Sequence, residues 1–123
     1  MTGGKRVVVL GPSDKPSRYS TRAVDSLLRN GHEPVPVHPR HAEILGVPVV
    51  CCLDRVAGAV DTVTLYVSPE RLSEMVDAVI ALNPRRVIAN PGAESEEMRA
   101  AAEARGIQYL EACTLVMLST GRF

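Results

Sequence analysis

The sequence predicts a doubly wound α/β domain built on a parallel sheet of five or six strands. Three observations predict it. Short apolar runs rich in Val and Ile alternate with stretches of helical period along the whole chain. Nearly every such run ends on Gly, Pro, Ser or Asn, the residues of tight turns. Aromatic residues make up only 3% of the chain, so Val, Ala and Leu supply the core, as in strands buried beneath helices on both faces. A chain of 123 residues has room for one core, and residues 1–123 are expected to form a single domain.

Taken in order, Arg6 to Gly11 carries four consecutive apolar residues and reads as a buried strand. Pro12 to Ser20 reads as a loop. Ser20 to Asn30 is the first helix, with Ala23, Val24, Leu27 and Leu28 as its apolar stripe and Gly31 as its stop. Glu33 to Val37 forms the second strand. Ala42 to Leu45 suggests one helical turn ending at Gly46, and Val47 to Cys51 a third strand that Pro48 makes short or confines to an edge. Leu53 to Ala57 reads as another helical turn, and Thr62 to Val67 as a strand. Pro69 opens a helix expected to reach Leu82, since a first-turn proline sacrifices no hydrogen bond. Arg86 to Ala89 is the next strand. Ser95 caps a helix that carries Glu96 and Glu97 in its first turn and stops at Gly106. Ile107 to Leu110 and Thr114 to Ser119 complete the chain as strand and short helix. Alternation of this kind, with right-handed crossovers, is Rossmann-like.

Net charge is zero but unevenly spread. Met1 to His41 holds seven Lys or Arg against three Asp or Glu, and the remainder holds seven against eleven. The basic first third suits an anionic small ligand. Nucleic acid is disfavoured, because neither a strongly basic balance nor a stacking surface is present. No run approaches membrane-spanning length, and Val7 to Leu10 is too short for a secretory leader. Three cysteines without such a leader point to the cytoplasm.

Ligands of open parallel sheets bind beyond the carboxyl ends of the strands. Four post-strand segments are therefore the candidate site. The first contains Gly11, Pro12, Ser13, Lys15, Arg18, Tyr19 and Ser20. Gly11 admits a sharp turn, the serines donate hydroxyls, and Lys15 and Arg18 add charge beside a helix N-terminus, where phosphate is already favoured. The others are His38-Pro39-Arg40, Ser68-Pro69-Glu70 and Asn90-Pro91-Gly92. The first loop contains neither G-x-G-x-x-G nor a P-loop. The second strand ends on His38, with Arg40 beyond, and lacks the acid that would hold an NAD ribose. A ligand with an extra ribose phosphate, coenzyme A or NADP, fits that end, and spacing does not separate the two.

The run VLGPSDKPSRYSTRAV at Val9 to Val24 is followed by VHPR at Val37, VSPE at Val67 and NPGAES at Asn90. Together they resemble the small stand-alone CoA-binding proteins, which are similar to the CoA-binding domain of the succinyl-CoA synthetase α subunit. The resemblance covers nearly the whole chain. It implies coenzyme A at the loop edge, with Gly11, Ser13, Lys15, Arg18 and Ser20 meeting the phosphates. It likewise implies His38, Pro39 and Arg40 beside the adenosine, and Ser68, Pro69, Asn90 and Gly92 along the remaining rim. Two positions depart from the family pattern. His38 stands where Asn is frequent, and Pro12 removes one backbone N–H from the phosphate cradle.

Signals for catalysis are weak. Cys113, after the last strand, offers a thiol for redox or acyl transfer chemistry, yet reads better as a small buried hydrophobe, and the same holds more strongly for Cys51 and Cys52. His38 and His41 lack a third metal ligand at useful spacing. Glu94, Glu96 and Glu97 are explained by helix-start electrostatics. The apolar run Leu115 to Leu118 leaves open a homo-oligomer or a larger ligase as partner.

Overall fold

The computed structural model describes residues 4–11, 18–40 and 42–123. Its strands are β1 (Arg6–Leu10), β2 (Glu33–Val37), β3 (Glu43–Ile44), β4 (Val47–Pro48), β5 (Thr62–Leu65), β6 (Arg86–Ala89) and β7 (Gln108–Glu111). Its helices are α1 (Tyr19–Arg29), α2 (Pro69–Leu72), α3 (Val76–Ala81), α4 (Glu96–Ala104) and α5 (Thr114–Ser119), with a 3-10 turn at Leu53–Arg55. Five strands form one all-parallel sheet in the order β2-β1-β5-β6-β7. The chain moves outward from β1 to β2, then returns to the far side of β1 to lay down β5. The switch point therefore lies between β1 and β5.

Side-chain alternation explains the two layers. Val8, Leu10, Val35, Val63, Leu65 and Val87 point to one face, where Leu72, Val79 and Met98 from the helices after β5 and β6 meet them. Val7 and Val9 point to the other, against Val24 and Leu27 of α1 and Leu118 of α5. Sheet growth reverses direction at β1, so crossovers of one hand must use opposite faces, and α1 lies opposite α3 and α4.

Strand β2 forms an edge, and its residues suit one. Pro34 and Pro36 donate no hydrogen bond outward. Two further outer groups pair with a single residue: Val50 N–H donates to Pro36 O at 2.9 Å, and His38 N–H donates to Val50 O at 3.0 Å. Outward extension of the sheet stops there.

Several sequence expectations require correction. Ala42 to Leu45 is not a helical turn. Glu43–Ile44 pairs antiparallel with Val47–Pro48, and Leu45 and Gly46 both have positive φ, 54° and 78°. Gly46 thus serves a two-residue hairpin turn, not a helix stop. Val47 to Cys51 is likewise a strand only over Val47–Pro48, in the hairpin, and its hydrogen-bonded pairing with the main sheet is the Val50–Val37 bridge. The helix begun at Pro69 does not run to Leu82. Met75 N–H bonds Leu72 O at 2.8 Å and Glu74 N–H bonds Arg71 O, i→i−3 contacts that tighten the chain between α2 and α3. Ser73 Oγ donates to Glu70 O at 2.8 Å beside them. Leu28, expected in the buried stripe, is 43% exposed because it lies at the margin of the face centred on Val24 and Leu27.

Candidate functional site

Register builds the site. Val37, Leu10, Leu65, Ala89 and Glu111 are paired across the sheet, so all five strands end in one row. The next row is His38, Gly11, Tyr66, Asn90 and Ala112. Three of its amides still continue the ladder: Gly11 N–H to Val37 O, Tyr66 N–H to Leu10 O and Ala112 N–H to Ala89 O. Gly11, His38 and Asn90, each singled out in the sequence, therefore share one edge of the sheet.

A cleft of about 500 Å³ opens at that edge beside the switch point. Leu10, Val37, Leu53 and Val67 give it an apolar floor, with Gly11 at the turn out of β1. Gly11 has φ +83°, and a Cβ there would strike Val67 Cγ1 and come within 3.1 Å of Tyr66 O. Only glycine fits a backbone pressed so closely to the strand beside it. One wall carries His38, Pro39, Cys51 and Cys52; the other carries Arg71, Glu74 and Met75. Among the described residues no side-chain hydrogen bond or ion pair engages the guanidinium of Arg71, which is exposed at the start of α2. Asp54 and Glu74 lie in the same cleft, so its electrostatics are mixed.

The predicted residues that the structure describes do not all line the cleft. Gly11, His38 and Pro39 line the cleft. Arg18, Tyr19 and Ser20 stand at the opening of α1, where Arg18 occupies the N-cap with extended φ and ψ. Tyr19 is 66% exposed with the Arg22 guanidinium 5.5 Å from its ring centre, whereas Ser20 is buried. Arg40 is exposed past the cleft, and its N–H donates to His38 Nδ1 at 3.0 Å. Ser68 caps α2, accepting from Arg71 N–H at 3.4 Å, and Pro69 takes the first helical position. Gly92 is exposed with φ +94°, its N–H held by Glu94 Oε1 at 2.9 Å. Pro12, Ser13, Lys15 and His41 lie outside the described residues.

Asn90 is buried, and its polar atoms are spent within the protein. Its Nδ2 donates to Thr64 Oγ1 at 2.7 Å and to Leu65 O at 2.8 Å, and its Oδ1 accepts from Thr114 N–H at 2.9 Å. Thr64 and Thr114 hydroxyls are 2.7 Å apart. The amide thus fastens β5, β6 and the start of α5 beneath the rim. Tyr66 extends from the same row, with a buried Oη that makes no hydrogen bond among the described residues. Burial, seconded by the Cys113 thiol, pushes Tyr66 up to about 12, while the nearby Thr114 and Thr64 hydroxyls act in the opposite sense. Cys113 itself is half-buried.

Two features escaped the sequence reading. Arg71 stands three residues after the capping Ser68, a spacing that places it in the first turn beside the strand end. Cys51 and Cys52, expected in the core, are both exposed. They follow the Val50–Val37 bridge, where the chain has passed beyond the sheet edge and no further layer covers it.

The chain matches known proteins over most of its length. It is 31% identical over 93 residues to the uncharacterized protein YneT of Bacillus subtilis (strain 168), covering 76% of this chain and 69% of YneT. A solved crystal structure of an uncharacterized protein superposes with TM-score 0.92 at 38% identity, over 99% of this chain and all of that one. A Thermus thermophilus structure superposes with TM-score 0.87 at 28% identity, over 98% and 91% of the two chains. With a switch-point cleft on a 2-1-5-6-7 sheet and the CoA binding domain model matching residues 5–119, this chain belongs to the CoA binding domain family.

Proposed function

We propose that the protein binds coenzyme A or an acyl-CoA as a carrier or sensor, without catalysis of its own. The observation that carries this reading is the switch-point cleft of a CoA binding domain, apolar in its floor and bordered by Arg71, whose guanidinium has no side-chain partner among the described residues. The diphosphate is assigned to Gly11 and the opening of α1, where Arg18 adds charge to the favourable helix end, and Lys15 is assigned to the same phosphates from its place in the sequence. His38, Pro39 and Arg40 are assigned to the adenosine side. The missing acid at the end of β2 leaves room for a ribose phosphate. The pantetheine arm is assigned to the apolar floor of Leu10, Val67 and Met75.

NADP shares the extra phosphate and is the second reading. Calorimetry with coenzyme A, NADP and NAD in separate titrations distinguishes them. Coenzyme A is expected to bind most tightly, and tighter binding of either dinucleotide overturns the assignment. Lys15→Ala, Arg18→Ala and Arg71→Ala are each expected to weaken coenzyme A by about 1–2 kcal/mol through loss of charge-assisted hydrogen bonds. Unchanged affinity in all three removes the phosphate placement.

A further inference from the structure

Cys51 and Cys52 are adjacent in sequence, both exposed, and both on the cleft wall, with their sulfurs 3.2 Å apart. Neither serves the core. We propose that they form a redox-active vicinal dithiol, oxidised by small-molecule disulfides to a Cys51–Cys52 disulfide that remodels the wall of the cleft.

The two thiols are not equivalent. Hydrogen bonding and charge from the Asp54 carboxylate, with Cys51 also contributing, push Cys52 up to about 12. Cys52, beside the Asp54 carboxylate, thus holds its proton more tightly than an ordinary thiol, and the attack is assigned to Cys51. Its thiolate displaces one thiolate from a disulfide R–S–S–R, leaving a Cys51–S–S–R mixed disulfide. Cys52 then attacks Cys51 Sγ as its proton departs, expelling the second R–S⁻. The dithiol loses two electrons, the incoming disulfide gains them, and the two thiol protons end on two released R–SH.

Ring closure has a structural consequence. Neighbouring Cα atoms across a trans peptide are about 3.8 Å apart, below the roughly 4.4–6.8 Å usual in disulfides. Closure must twist the backbone at this dipeptide, and the strain keeps the product easily reduced. Cys52 has extended backbone and caps the 3-10 turn Leu53–Arg55. Leu53 belongs to both the cleft floor and the core, so the twist is delivered to the surface that the ligand faces.

The experiment equilibrates the folded protein across a series of reduced and oxidised glutathione ratios. It then alkylates free thiols in denaturant and maps the product by mass spectrometry. Two thiols are expected to vanish together as a Cys51–Cys52 disulfide with no retained glutathione, while Cys113 stays alkylatable. Cys52→Ser should trap glutathione on Cys51, and Cys51→Ser should react about tenfold more slowly, because the remaining thiol is held protonated. Retained adducts on the wild type, oxidation centred on Cys113, or a Cys51→Ser variant as fast as wild type overturns the dithiol.

The link to the cleft rests on the coenzyme A reading and has its own readout. Calorimetry on the oxidised protein should show coenzyme A affinity changed at least about threefold from the reduced protein, a shift of about 0.6 kcal/mol or more. Equal affinity overturns the remodelling. Absence of coenzyme A binding to the reduced protein overturns the functional reading, while the alkylation pattern still decides the dithiol.

Discussion

Asn90 shows how one side chain can decide the shape of an edge without reaching its surface. Three hydrogen bonds converge on a buried amide, two tying it to β5 and one to the start of α5. Asn90→Ala leaves Leu65 O without this donor and Thr114 N–H without its acceptor, so it is expected to cost about 2–3 kcal/mol. The measurement is the urea unfolding midpoint. Asn90→Asp should cost at least as much, since a carboxylate cannot donate to Leu65 O or Thr64 Oγ1. A loss well below 1 kcal/mol for both variants would show that water replaces the amide and that the tie is dispensable. Sequence alone marked Asn90 by its Asn-Pro-Gly setting but could not distinguish a rim residue from a strut beneath it.

At the scale of elements, α4 is positioned by its first residues. Ser95 Oγ accepts from Met98 N–H at 3.0 Å, and Ser95 N–H donates to Tyr109 Oη at 3.0 Å, so the cap fixes the helix end to β7. Arg99 adds contacts to Glu111 at 3.2 Å and to the Tyr109 ring at 4.8 Å, although an ion pair this exposed contributes little by itself. Ser95→Ala is expected to destabilise the protein by about 1 kcal/mol, and Ser95→Asp to restore most of it, because Asp caps equally well. Thermal unfolding of the pair checks this. If Ser95→Asp were no more stable than Ser95→Ala, the hydroxyl's role would lie outside capping.

The whole molecule is closed at the amino end of the sheet, away from the cleft. Phe123 packs 5.1 Å from the His32 ring, while Lys5 Nζ and Arg86 Nη2 donate to its main-chain oxygen at 2.6 and 2.7 Å. His32 Nδ1 accepts from Lys5 N–H at 3.0 Å. Burial, then the Lys5 and Arg86 charges, holds His32 below its ordinary value of 6.5, with Asp61 opposing weakly. The unfolded chain thus binds the His32 proton more readily than the native one. Stability from this group is present above pH 6.5 and lost as pH falls through its lower native value. Chemical unfolding at pH 7.5 and 5 should show part of the acid-side loss disappear in His32→Gln. An unchanged pH slope would remove His32 as its source.

Local pattern in the chain was enough to specify the parallel α/β architecture, the boundaries of β2 and β6, the Ser95 cap and the common sheet edge of Gly11, His38 and Asn90. Burial on both faces demands unbroken apolar runs, and caps act within one helical turn, so neighbouring residues carry the signal. The remaining features came from contacts between distant segments. Whether Gly46 stopped a helix or turned a hairpin depended on where Val47 could find a partner. Whether Cys51 and Cys52 were core or surface depended on the sheet ending at β2. The role of Asn90 depended on register across β5 and β6, a relation between residues far apart in the chain that no local pattern records.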